Sequence, residues 1–115
     1  MLKQILEEFL QGEGVTAAVV VGRDGFVIES AISGKMDMDA IGAMVSTGLG
    51  SAEAMGRELK KGEIIQTLVE MDQGPIILSP LTAGEMIAIV ANTTANSGHI
   101  RYDLKKNRER LIAAL

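Results

Sequence analysis

Residues 39–59 read DAIGAMVSTGLGSAEAMGREL, and the fold turns on this stretch. Asp37 or Asp39 can cap a helix that runs over residues 39–60, and Gly62 stops it. Inside that helix stand Gly42, Gly48, Gly50 and Gly56. A helical Gly costs about 1 kcal/mol against Ala, so four cost about 4 kcal/mol. A neighbour close to the helix backbone must offset that cost. Projected at about 100° per residue, the helix has three faces. Ile41, Val45, Gly48, Ala52, Met55 and Leu59 form a greasy face suited to a sheet. Ser46, Gly50, Glu53 and Arg57 lie roughly opposite. Between them runs a seam of Ala40, Met44, Thr47, Ser51 and Ala54, flanked by Ala43. Its alternating steps of four and three are those of paired helices, and its small side chains permit close backbone approach. The bland alternative is a helix whose small residues fit under loops of its own chain. One small sheet cannot cover two helix faces, so a partner helix is favoured, and a two-fold copy of the same helix is the obvious one.

Upstream, Leu2, Ile5, Leu6, Phe9 and Leu10 make one apolar helical stripe over residues 2–11, ended by Gly12 and Gly14. VTAAVVVG at 15–22 is a strand buried on both faces. Arg23-Asp24-Gly25 is a tight turn, and FVIESAI at 26–32 returns as an antiparallel partner. Downstream, EIIQTLVEM at 63–71, IILSPLT at 76–82 and MIAIVAN at 86–92 read as three further strands joined by short turns. A last helix over about 97–114 places Ile100, Leu104, Leu111, Ile112 and Leu115 on its stripe, broken by Asn107 and Arg108. The order α-β-β-α-β-β-β-α predicts an α+β fold. Its simplest form is one five-stranded, mainly antiparallel sheet with helices on both faces, a single domain over residues 1–115.

Composition narrows the chemistry. The 115 residues contain no Cys, which removes disulfides, thiolate zinc sites, iron–sulfur clusters and cysteine nucleophiles. Three aromatics, Phe9, Phe26 and Tyr102, are too few for stacking on single-stranded nucleic acid or for an aromatic cofactor pocket. Net charge is −4, with five basic and two acidic residues in 99–115. A cationic helix end is what the helix dipole favours, so no nucleic-acid partner is expected. The start is amphipathic and acidic, unlike a secretory signal, and no apolar run approaches the roughly 20 residues of a membrane span. The expectation is a cytoplasmic, soluble protein with no membrane insertion.

Catalytic motifs fail one by one. Gly48-Leu49-Gly50-Ser51-Ala52-Glu53 begins like a dinucleotide fingerprint, but Glu53 stands where the last Gly belongs and the run lies inside a helix. Gly34-Lys35 is followed by Met36, not Ser or Thr, so it is no P-loop. Asp37-Met38-Asp39 resembles a calcium loop, yet position twelve is Gly48 instead of Glu. His99 is the only His, and zinc would need carboxylates alone to complete its shell. At a helix start it reads as a solvated or capping residue. Ser79, Ser46 or Ser51 could join His99 in a triad only on paper, with no nucleophile elbow to support it. No catalytic, cofactor-binding or metal residues are assigned, and an enzyme is not expected.

The short first helix, the hairpin GRDGFVIES, the Gly/Ala/Ser-rich middle helix and the three closing strands resemble the roadblock (dynein light chain) family, in particular its small prokaryotic MglB-like members. The resemblance covers nearly the whole chain. It implies a non-enzymatic dimeric platform that binds and regulates a small Ras-like GTPase, as an activating protein or a scaffold. A cargo or motor adaptor and a small-ligand sensory domain are the alternatives. It also implies that the middle helices, residues 39–60, pack across a two-fold axis and that the third strands, residues 63–71, pair edge to edge. That strand has neither Pro nor Lys inside it and is poorly guarded. Its alternation puts Ile64, Gln66, Leu68 and Glu70 on one side and Ile65, Thr67, Val69 and Met71 on the other. The expected dimer interface is therefore Ala40, Ala43, Met44, Thr47, Ser51 and Ala54 with Ile64, Gln66, Leu68 and Glu70. Ser46, Gly50, Glu53 and Arg57 are the candidates for GTPase contact. Arg57 could act as an arginine finger, but Glu53 one turn earlier is placed to occupy it.

Overall fold

A computed structural model describes residues 1–115. The elements in chain order are α1 (Leu2–Leu10), β1 (Val15–Gly22), β2 (Val27–Ile32), α2 (Met38–Glu58), β3 (Thr67–Val69), β4 (Ile76–Pro80), β5 (Glu85–Ala91) and α3 (Ser97–Ala113). The strands form one sheet in the order β2-β1-β5-β4-β3, and every ladder is antiparallel. This is the α+β arrangement that the order of elements predicts.

The alternation of β1 decides how the layers divide. Ala18 and Val20 join a core with Ile5, Leu6 and Phe9 of α1 and Ile100, Leu104 and Leu111 of α3. Ala17, Val19 and Val21 face the other way, onto Val45 and Leu49 of α2. Both sides of β1 are thus dry from Ala17 to Val21, which is why that stretch is an unbroken apolar run. The RDG turn closes as expected: Gly22 N–H donates to the Phe26 carbonyl at 2.8 Å, and Gly25 sits at φ +88°. Between Val20↔Glu29 and Val21↔Val27 the register shifts, leaving Ile28 as an extra residue on β2.

Several boundaries differ from the sequence expectation. The third strand spans only Thr67–Val69, not 63–71. Residues 63–66 leave the ladder because tertiary partners pull them apart. Ile64 packs toward the α2 side, whereas Gln66 turns to α3 and exchanges hydrogen bonds with Arg101, donating to its carbonyl at 3.0 Å and accepting from its Nε at 3.2 Å. Ile64 and Gln66 therefore do not share a face. β4 ends at Pro80, two residues earlier than expected, and the Leu81 and Thr82 N–H groups both donate to the Glu85 carbonyl to make the turn. The stop of α2 also differs. Helix geometry ends at Glu58, and Lys60 itself adopts the left-handed conformation at φ +55°, ahead of Gly62.

The greasy face of α2 is shifted as well. Leu49, absent from the expected set, is fully buried, while Met55 and Leu59 are 60% and 65% exposed. The glycines explain this path. A Cβ on Gly42 would meet the Gly25 carbonyl oxygen, one on Gly48 would meet Leu78, and one on Gly56 would meet the Gly62 carbonyl oxygen. Successive turns of α2 thus cross the β1–β2 turn, then β4, then the connector after the helix. By Met55 the helix has passed the sheet it covers.

Candidate interaction surface

Three of the four helical glycines are used inside the chain, and only Gly50 faces open space. The close approach demanded by the sequence is therefore largely intramolecular. The seam beside those glycines is a different matter. Ala43, Thr47, Ser51 and Ala54 are exposed, Ala40 is half-buried, and Met44 is 64% exposed. The β1–β2 turn touches it only at Ala43, where a Cβ on Gly25 would stand 3.6 Å from the Ala43 Cα, and Met44, Thr47, Ser51 and Ala54 remain exposed.

The strand edge is open too. β3 pairs with β4 on one side only. Thr67 and Val69 stand opposite Leu78 and Ile76 and so share the α2 side of the sheet. Around them Ile65, Leu68 and Met71 are exposed, and Glu70 is exposed beside them. Of the four expected edge residues, Leu68 and Glu70 are available. Ile64 is half-buried in the α2 core, and Gln66 is engaged by Arg101. The Thr67 hydroxyl is buried without a hydrogen-bond partner.

The face of α2 that carries Ser46, Gly50, Glu53 and Arg57 is divided by the β1–β2 turn. Ser46 Oγ donates to the Arg23 carbonyl at 2.9 Å. Both terminal nitrogens of Arg23 donate to the Glu53 carboxylate, the Nη2–Oε2 bond at 2.8 Å. Fork-to-fork geometry makes this pair stronger than a single-point contact. These hydrogen bonds from Arg23 hold the Glu53 carboxyl below its ordinary range, and the nearby Arg57 charge pulls the same way. Glu53 is thus taken by Arg23, and the expected Glu53–Arg57 pair does not form. The Arg57 side chain is exposed and makes neither an ion pair nor a hydrogen bond. Sequence reasoning missed Arg23, whose place in a turn gave no sign that it reaches across to α2.

The rejected motifs have structural roles instead. Asp37 caps α2, accepting from the Ala40 N–H at 3.1 Å. Gly48–Glu53 is ordinary α2 helix. Asn96, not His99, caps α3, and His99 Nε2 lies 3.3 Å from Asp103 one turn on. Ser79 donates to the Ile65 carbonyl at 3.3 Å. No group of three or more His, Asp or Glu side chains converges as metal ligands would. No helix is long and apolar enough to cross a membrane.

A groove of about 860 Å³ opens beside the end of α2. The β4–β5 turn, the connector after α2 and Arg108 of α3 complete it.

Residues 1–91 match the sequence profile of the Roadblock/LC7 domain. The chain belongs to the Roadblock/LC7 family. Among its relatives, MJ1340 of Methanocaldococcus jannaschii is 35% identical over 114 residues, with 98% of each chain covered. In fold, this Roadblock/LC7 chain is similar to Myxococcus xanthus MglB, with TM-score 0.89 at 11% identity over 98% of this chain and 93% of that one. It is likewise similar to the gliding protein MglB of Thermus thermophilus, with TM-score 0.88 at 18% identity over 97% and 86%. At such identities the likeness is one of fold. The profile match stops at the end of β5, so α3 of this Roadblock/LC7 chain lies beyond it.

Proposed function

We propose that the chain is a non-catalytic, cytoplasmic homodimeric platform that binds and regulates a small Ras-like GTPase. The observation that carries self-association is the uncovered seam of α2, lying on the same side of the sheet as the open β3 edge. A second copy related by a two-fold axis covers seam with seam and edge with edge. Membership of the Roadblock/LC7 family supports a regulatory platform. Two paired α2 helices make a composite surface that neither protomer has alone. Gly50 and Arg57 are its accessible members, while Ser46 and Glu53 hold the β1–β2 turn beneath it.

Light scattering on a sizing column should report about twice the 12.2 kDa chain mass. Ala54→Arg, which forces a long charged side chain into a close helix crossing, should shift the protein toward monomer. A monomeric parent, or a dimer indifferent to Ala54→Arg, refutes the seam. The dimer is then mixed with a Ras-like GTPase from the same genome, and binding and GTP turnover are measured. The platform orients groups of the GTPase itself, so Arg57→Ala should retain much of any stimulation. A donated arginine finger is worth about 10³–10⁵ in rate. Collapse on that scale with binding intact would make Arg57 catalytic. No binding in either nucleotide state would remove the GTPase reading.

A further inference from the structure

We propose that the groove beside the end of α2 binds an acidic peptide segment of a protein partner. Its walls carry Arg23, Arg57, Lys60 and Arg108 against only Glu53 and Glu63. Glu53 is already consumed by Arg23. Three cations therefore face one free carboxylate, in a chain whose overall charge is −4. Such local excess attracts anions, and Arg clusters are a recurring way to read acidic motifs.

One of these charges is held in place. Arg108 donates from Nη2 to the Leu81 carbonyl at 3.0 Å, which fixes its guanidinium at the end of β4. Lys60 occupies the left-handed position just past α2, at φ +55°, where Gly is the usual residue. That conformation closes the helix, with the Lys61 N–H donating back to the Gly56 carbonyl at 2.8 Å, and it puts Lys60 on the groove wall at some cost in backbone strain. The groove does not end at Arg108. A further hollow of about 200 Å³ shares Glu63, Ile64, Pro80 and Arg108 and continues to Lys105 on α3. The whole is a trough with cations strung along it, which suits an extended segment better than a compact ligand. Because Lys105 and Arg108 lie outside residues 1–91, the trough combines the matched domain with the last helix.

The probe is fluorescein-labelled hexaglutamate, titrated with the full chain at low salt and followed by anisotropy. It contains no GTPase, so its outcome is separate from that of the preceding proposal. Saturable binding is expected, weakening as salt is raised. Arg57→Ala and Lys60→Gly should each raise Kd about threefold to fivefold, the scale of one exposed charge contact. Lys60→Gly should at the same time raise Tm by a few degrees, because Gly relieves the left-handed strain. Lys106→Ala, outside the trough, should leave Kd unchanged. Equal weakening by Lys106→Ala, equal binding of hexalysine, or indifference to both trough substitutions overturns the proposal. Competition by inorganic pyrophosphate as tight as that of the peptide would make the site one for small anions and overturn it too.

Discussion

Gly42→Ala and Gly50→Ala make the same chemical change in one helix, and they should move stability in opposite directions. A Cβ at residue 42 would stand 2.1 Å from the Gly25 carbonyl oxygen, where real Cβ contacts essentially never fall below 3.0 Å. The β1–β2 turn or α2 must then move by about 1 Å, and close-packed surroundings resist that. The turn is tied to the helix by Ser46 on the Arg23 carbonyl and by Arg23 on Glu53. Overpacking costs about 1–3 kcal/mol, and a weakened hydrogen bond adds about 1 kcal/mol. Replacing Gly by Ala in a helix returns about 1 kcal/mol. The net loss is about 2 kcal/mol. With an unfolding entropy near 2.1 cal/mol/K per residue, this chain has about 0.24 kcal/mol/K at Tm, so Gly42→Ala should melt about 8 °C lower. At residue 50 nothing lies within 4 Å, so only the helix gain remains, and Tm should rise by about 4 °C. Thermal melts by circular dichroism decide the matter, run at one protein concentration because association would shift Tm. A Gly42→Ala protein as stable as the parent would refute the close-approach argument. A destabilised Gly50→Ala protein would mean that Gly50 is covered in solution.

The Arg23–Glu53 pair should make stability fall in acid. Hydrogen bonds from Arg23 lower the folded-state pKa of Glu53, so its contribution is fully present above the unfolded carboxylate pKa and is lost as pH drops through the folded value. Urea midpoints measured downward from about pH 5 should decline less steeply in Glu53→Gln than in the parent; equal slopes would refute the assignment. Glu8 is lowered in the same direction by Arg110, but both groups lie in solvent and salt should erase their effect. Asp37→Ala removes the side-chain cap on the Ala40 N–H and should cost about 1 kcal/mol in a urea titration, with Asp37→Asn close to the parent.

The hairpin was legible because its signals agree: an apolar run for a strand dry on both faces, then Asp-Gly at the turn, then a returning strand. The third strand was not. EIIQTLVEM alternates well enough to pass as nine residues of strand, yet only Thr67–Val69 pair. A guanidinium on α3 claims Gln66, and the α2 core claims Ile64, and neither pull leaves a mark in the local sequence. The same holds for Met55 and Leu59. Helical periodicity continues past the point where the sheet beneath it stops. The trough was invisible for a plainer reason, since Arg23, Lys60 and Arg108 meet only after folding and each reads alone as a solvated charge.

The glycines of α2 separate two arguments that the sequence joins. Their cost demands a close neighbour, and a partner helix is one way to supply it. In the fold, Gly25, Leu78 and Gly62 supply it for Gly42, Gly48 and Gly56. The cost of those three residues therefore says nothing about a second copy. What remains in favour of a partner is the seam, because Ala43, Met44, Thr47, Ser51 and Ala54 are exposed after every intramolecular contact has been made. Exposed Ala favours a helix by itself, but Thr47 and Ser51 gain nothing for a monomer in water, where Lys and Glu hold a helix better and keep chains apart. Small side chains matter where another backbone must come near. Gly42→Ala thus probes the fold of one chain, whereas Ala54→Arg probes the contact between two. A protein in which the first substitution lowers the stability of the chain and the second only dissociates it would show that one helix serves both purposes from different faces.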